Sequence, residues 1–293
     1  MHWFTLAFLL PLVSGTAHAG AWIVDAKTAA QLVHRGAQLI DARSADLKAK
    51  SKKQIANAIA ASFDTLAPKS GPYRGRLRSV PWLKKKLSAL GVGRGQIVVA
   101  GDAKRGWGEA GWIVWLLRSL GHSKVAMVDG GINALLRAGV RRVRRSAAPG
   151  NFLPRLDRRY LARAMEVKRR LRDGVTSLID TRQAREYRGA TPFGERRGGH
   201  LPGAKHLHFR RFIDNDGILL KRSKLNATLS KMGLKKRSPI IAYCTGGVRS
   251  AWLVVALKHL GFSSAKNYAG STWEWSAGKA AAFPLVAEPG SGR

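Results

Sequence analysis

The stretch PIIAYCTGGVRSAWLVVALKHLG, Pro239 to Gly261, decides how the chain folds. It opens with a short apolar run, Pro239–Tyr243, bounded by turn residues, which predicts a buried strand of a parallel sheet. It closes with a longer run, Arg249–Leu260, apolar nearly all round and stopped by Gly261. That run predicts a buried helix with glycine at its C′ position. Strand, loop and buried helix in this order argue for an α/β domain. Between strand and helix stand Thr245, Gly246, Gly247 and Val248, preceded by Cys244, the single cysteine of the 293 residues.

The pattern occurs twice. Leu39-Ile40-Asp41-Ala42-Arg43 returns as Leu178-Ile179-Asp180-Thr181-Arg182, Leu117–His122 as Leu257–Phe262, and Val128–Gly131 as Tyr268–Ser271, each 139 or 140 residues later. Two copies of domain size are a duplicated domain and not a solenoid. The first copy has its own short buried run, Gln96–Ala100, and a helical run from about Gly111 to Leu120 that stops at Gly121. The expected fold class is α/β, with two tandem domains, each a mostly parallel sheet flanked by helices on both faces. The expected boundaries are 20–140 and 155–285, joined through 141–154. That joint lies in the basic, glycine- and proline-bearing stretch Gly139–Arg155.

The first nineteen residues, MHWFTLAFLLPLVSGTAHA, are apolar, too short to span a bilayer, and end in a small-x-small pattern. They read as a signal peptide cleaved before Gly20, which implies a periplasmic or secreted protein. The start carries His2 but no Lys or Arg, and a retained membrane anchor is the rival reading. No other run is long enough for a membrane span. A lone thiol in an exported chain cannot form an internal disulfide, and a thiolate metal cluster is excluded by the count. A single buried, inert cysteine is the plain alternative.

Charge is extreme: 52 basic against 17 acidic residues, net +35. Residues 20–150 carry 24 basic and 7 acidic residues and 151–293 carry 28 and 10, so the excess is not a tail. Such a field attracts nucleic acid and small anions alike. There is no helix-turn-helix, zinc or aromatic-basic RNA pattern, so the basic surface permits nucleic-acid binding without giving it specificity.

Ligands of parallel sheets sit where strands end and helices begin, and Cys244 is at that place. Glycines in the following loop let main-chain N–H groups turn inward, and with the helix N-terminus these favour negative charge. A thiol there is acidified and its thiolate is present near neutral pH. Arg249 adds a cation that either binds a donor's oxyanion or pairs with Asp180 or Glu186. Four residues separate Cys244 from Arg249, one fewer than in the loop of cysteine-dependent phosphatases. The tighter bowl suits one extra sulfur atom better than a phosphate.

CTGGVRSAW, LIDTRQAREYRG (Leu178–Gly189), GHLPGA (Gly199–Ala204) and YAGSTWEW (Tyr268–Trp275) together resemble the landmarks of rhodanese-type sulfurtransferases. The doubled domain is similar to the tandem thiosulfate and 3-mercaptopyruvate sulfurtransferases. The resemblance implies a ping-pong cycle in which Cys244 takes the outer sulfur of a donor such as thiosulfate. A thiophilic acceptor (cyanide, a thiol or a protein) then removes it. It implies that the loop Thr245, Gly246, Gly247, Val248, Arg249 and Ser250 holds the anionic sulfur, and it implies no metal or organic cofactor. By the same resemblance Asp180 organises the loop and Arg185 binds the donor. Trp273, with Glu274 and Trp275, walls the site, and Trp273 is the one that could reach the donor. Glu186 and Tyr187 read as structural and His200 as a turn residue.

In the first half the corresponding strand end reads VVAGDAKRGWGEAGW, Val98 to Trp112. Its loop is about three residues longer and puts Gly101 or Asp102 where the cysteine would be, so this half is expected to be inert and to shape the cleft. Lys104 and Arg105 are its candidates for reaching that cleft. Against the sulfurtransferase stand a persulfide carrier with poor thiosulfate turnover, a 3-mercaptopyruvate enzyme, and a polyanion-binding module on a decayed scaffold. The complete loop argues against decay.

Overall fold

The computed structural model describes residues 20–51, 53–68, 70–71, 73–144 and 148–287; the expected signal peptide, residues 1–19, lies outside them. Ten short strands form two parallel five-stranded sheets. The first holds β1 (Ile23–Val24), β2 (Gln38–Asp41), β3 (Ile59–Ala60), β4 (Ile97–Ala100) and β5 (Val125–Val128) in the order β1-β5-β4-β2-β3. The second holds β6 (Leu161–Ala162), β7 (Ser177–Asp180), β8 (Lys205–His206), β9 (Ile240–Tyr243) and β10 (Ala265–Tyr268) in the order β6-β10-β9-β7-β8. The two orders are the same, so the sequence repeat is a repeat of topology.

Helices cover both faces of each sheet, and the pleat decides which side chains meet them. In β4, Ile97 and Val99 face one core while Val98 and Ala100 face another, shared with α1 (Ala26–His34) and α6 (Gly131–Arg137). In β9, Ile240 and Ala242 face the same core as Ile97, while Ile241 and Tyr243 face the side of α7 (Ala164–Arg170) and α11 (Ser271–Ala277). One core therefore fills the space between the two sheets. At its centre α5 (Glu109–Ser119) and α10 (Val248–His259) pack against each other, buried over almost their whole length.

Close approach of α5 and α10 rests on glycine. A Cβ on Gly111 would lie 2.5 Å from the Trp252 Cα, and one on Gly108, where φ is +95°, 2.8 Å from the Trp252 Cβ. The large Trp252 ring thus occupies what small residues of the first half leave open. The helices end as expected, with Gly121 and Gly261 at positive φ; α10 begins at Val248, one residue before the predicted start.

The joint between the halves runs along the first one in hydrogen bonds. Val143 N–H donates to Ala56 O, Gly150 to Ser88 O, Phe152 to Val92 O and Arg155 to Leu120 O. The recurring Asp-x-Arg closes β2 and β7 alike. Arg43 forks onto Asp41 at 3.0 and 2.8 Å, and Arg182 onto Asp180 at 3.0 and 2.7 Å, all four side chains buried. In each pair the aspartate also accepts the arginine's own N–H, at 3.1 and 2.9 Å, which turns the chain at the strand's carboxyl end.

Gly111→Ala should lower stability by about 1–3 kcal/mol, because the added methyl meets main chain that is fixed by a helix. Gly95→Ala, placed in open space, should be near neutral. Thermal melts of both variants against the parent check this, and equal melting temperatures would refute the glycine contact as a constraint.

Candidate active site

β9 runs directly into Cys244, which is 1% exposed and free of any disulfide. Three residues later Gly247 takes φ +85° and turns the chain into α10. The turn aims main-chain donors at the sulfur: Gly247 N–H donates to Sγ at 3.1 Å, and Gly246 and Ser250 supply further donors. Burial pushes the Cys244 thiol up, while the Arg249 charge and the donors of Ser250 and Gly246 pull it down. The pull prevails and the thiol lies below its ordinary value. Of the six loop residues expected to hold a sulfur anion, Gly246, Gly247 and Ser250 face it directly.

The other loop side chains brace it from outside. Arg249 donates twice to Glu186, at 2.6 and 2.7 Å, and once to Thr245 Oγ1 at 2.6 Å; Thr245 in turn donates to Glu186 at 2.8 Å. Glu186, fully buried, would be raised by burial, but the fork of Arg249 holds it below the usual carboxylate range. Of the two roles open to Arg249 in the sequence, internal pairing is the one it takes, and its partner is Glu186 and not Asp180. Ser250 Oγ donates to Asn267, and Asn267 donates to Gly247 O at 3.1 Å.

The turn between β10 and α11 locks the cysteine's own main chain. Cys244 N–H donates to Ser271 Oγ at 3.0 Å, Thr272 donates to Cys244 O through both N–H and hydroxyl at 3.1 Å, and Trp273 N–H donates to Thr245 O at 3.0 Å. Ser271 sits at φ +50°, in the left-handed region that non-glycine residues seldom adopt, to make this contact. Trp273 lies against Gly246 so closely that a Cβ there would fall 2.2 Å from its ring.

A cavity of about 270 Å³ opens over the sulfur, between the two halves. Trp273, Phe193, Val248 and the loop form its wall on the second half; Phe63, Asp64, Trp107 and Glu109 come from the first. Trp107 meets Phe193 edge to face at 5.8 Å. Burial pushes the Glu109 carboxyl up from its ordinary value. These first-half residues carry no motif, and only the packing of α5 on α10 brings them here.

Several of the sequence-predicted residues stand apart from the cavity. Arg185 is exposed on α8 (Ala184–Arg188), donates to Gln183 at 3.0 Å, and does not line the cavity. Asp180 is fully buried under Arg182, which also donates to Gly199 O, so it fixes the β7 corner and touches neither sulfur nor cavity. Lys104 pairs with Asp216 and Arg105 with Asp102, away from the cleft. Trp273 lines the cavity, and His200, expected as a turn residue, forms an antiparallel bridge with Val286 while its Nδ1 lies 2.9 Å from Tyr187 O.

Gly101 follows β4 as Cys244 follows β9. Six residues separate it from Gly108 at the start of α5, where two separate Cys244 from Gly247, so the loop is longer by four residues and not three. Ile132 N–H donates to Gly101 O and the Asp102 carboxylate caps the N–H groups of Lys104 and Arg105. Main chain fills this bowl, and the space beside it is about 30 Å³.

Comparison with known proteins agrees with this geometry. Residues 163–278 match the model of the rhodanese-like domain. The chain is 30% identical to the sulfur carrier protein TtuD of Thermus thermophilus over 205 residues, 65% of this chain and 72% of that one. It is 26% identical to the thiosulfate sulfurtransferase of Bos taurus over 76% of this chain and 77% of the other. Its fold matches the crystal structure of SseA from Escherichia coli, described as a 3-mercaptopyruvate sulfotransferase, with TM-score 0.72 and 23% identity, covering 86% and 98% of the two chains.

Because its thiol is held down, Cys244 should keep its thiolate as pH falls through the ordinary thiol range. Alkylation by iodoacetamide should then plateau above a midpoint lower than that of free cysteine. Ser250→Ala should move that midpoint up. Glu186→Gln should move it down by freeing the charge of Arg249, while lowering stability by about 3–5 kcal/mol as a buried cation loses its partner. Rate–pH profiles and denaturant melts read the two effects separately, and a midpoint unmoved by either variant would refute this electrostatic account.

Proposed function

The chain belongs to the rhodanese-type sulfurtransferases, and we propose that it moves a sulfane sulfur from thiosulfate or a related donor to a thiophilic acceptor through a persulfide on Cys244. The observation that carries this reading is the sulfur of Cys244 under converging main-chain donors at the floor of an open cavity. The thiolate attacks the outer sulfur of the donor; the bond between that sulfur and the sulfonyl group breaks, and its electron pair leaves with sulfite. The new terminal sulfur takes up charge where the thiolate held it, next to the N–H groups of Gly246, Gly247 and Ser250. An acceptor thiolate or cyanide then attacks that sulfur and returns the electron pair to Cys244.

Likeness to a sulfur carrier protein favours a second reading, in which the acceptor is a protein and release to small acceptors is slow. The donor is read as thiosulfate, with 3-mercaptopyruvate as the alternative. Residues 1–19 are read as an export signal that places the chain in the periplasm or outside the cell, and no helix of the described residues is long and apolar enough to cross a membrane. The net charge of +35 supports salt-dependent contact with polyanions as a property separate from catalysis.

Incubation with thiosulfate should add the mass of one sulfur atom to the protein, and cyanide should remove it as thiocyanate. Cys244→Ser should neither gain that mass nor turn over above background. Turnover by Cys244→Ser, or no mass gain by the parent with thiosulfate or 3-mercaptopyruvate, would refute the proposal. Steady-state rates with these two donors, thiosulfate expected the faster, decide which one the site serves.

A further inference from the structure

The cations that the sequence offered for an anionic donor are all engaged or elsewhere. Arg249 is forked onto Glu186, Arg185 is exposed and bonded to Gln183, and Lys104 and Arg105 pair with Asp216 and Asp102. The cavity wall itself brings two carboxyl groups, Asp64 and Glu109. Arg249 also lines the cavity and its charge reaches the sulfur, but its donors are taken by Glu186 and Thr245, so the oxygens of a dianion need a further cation with free donors.

Arg74, from the first half, is not itself part of the cavity wall but stacks on it. Its guanidinium carbon lies 3.6 Å from the ring centroid of Trp273, the indole that walls the cavity. The adjoining Gly75, at φ +75°, presses on the sulfur loop itself: a Cβ there would lie 3.2 Å from the Gly246 Cα and 3.1 Å from the Trp273 ring. Gly194, next to the cavity-lining Phe193, is within 3.2 Å of Arg74 Nη1 by the same measure. Arg74 Nε is buried and has no hydrogen-bond partner. Arg76, two residues on, likewise has a buried Nε without a partner, but its Nη2 is paired with Glu274 at 2.6 Å. A buried N–H without an acceptor is a costly arrangement unless something brings the acceptor. A guanidinium laid flat on an aromatic ring keeps its planar edge of donors free for an oxyanion.

We propose that Arg74 receives the oxyanion end of the sulfur donor, so that the inert half contributes the donor-binding cation to the active half's cysteine. The inference rests on persulfide formation at Cys244. It gives the first half a chemical task, and it separates the donor's two ends: the outer sulfur goes to the N–H groups around Cys244, and the sulfonate oxygens go to Arg74 beside Trp273.

The test compares persulfide formation from thiosulfate and from methanethiosulfonate, which carries a methyl group in place of one anionic oxygen, in the full chain and in Arg74→Met and Arg74→Lys. Arg74→Met should raise KM for thiosulfate by about 10- to 100-fold, the range of a lost charged hydrogen bond, with a smaller change in kcat. The rise for methanethiosulfonate should be distinctly less, and Arg74→Lys should recover part of the loss. Unchanged KM, or an equal loss of kcat with both donors as expected from mere displacement of Trp273, would overturn the proposal. If the parent gains no sulfur at all, the persulfide reading fails instead, and mass measurement of the parent tells the two failures apart.

Discussion

A buried fork between Arg249 and Glu186 holds the reactive loop in shape. Both groups are shut off from water, so each would be costly alone, and the pair is stable only in one geometry. That geometry pins the first turn of α10 to α8 and draws Thr245 into the same cluster. With the loop pinned at its far side, the near side has no freedom but to present its N–H groups to Cys244. The same fork decides what Arg249 is not: its donors face a carboxylate, so its charge acts on the sulfur only through space.

The opposite end of the loop is held by main chain and hydroxyls instead of charge. Ser271 and Thr272 bond the N–H and C=O of Cys244, and Asn267 bonds Gly247 O. Neutral partners there leave the sulfur's field to the amides and to Arg249. This division of labour lowers the thiol in spite of nearly complete burial, which by itself works in the opposite direction.

Duplication produced two halves with one topology and two different strand ends. In the second half a tight turn leaves a bowl; in the first a longer loop folds back and fills it. The first half still matters, because the α5–α10 contact carries Phe63, Trp107 and Glu109 to the rim of the other half's cysteine. A chain of net charge +35 forms a cleft whose own wall includes carboxyl groups. The overall charge is therefore a guide to what approaches the protein and a poor guide to what the cleft binds.

Much of the fold was legible in the chain: the 139- to 140-residue repeat, the strand at Pro239–Tyr243, the glycine-stopped helices and the loop around Cys244 are all local patterns. Local patterns suffice there because strand alternation, helix ends and positive-φ turns are set within a few residues. Glu186 could be named as one of two partners for Arg249, but the choice over Asp180 depends on which carboxylate Arg182 occupies. Arg185, Lys104 and Arg105 read as plausible anion ligands and face elsewhere, while Trp107, Phe193 and Arg74 gave no sign of their place. Their place comes from residues far apart in the chain meeting where the two halves pack, and spacing along a chain carries no record of such a meeting. The sequence alone determined which atom reacts and the turn that charges it; the tertiary structure decided what surrounds that atom, because a cleft between domains exists only once both are folded and pressed together.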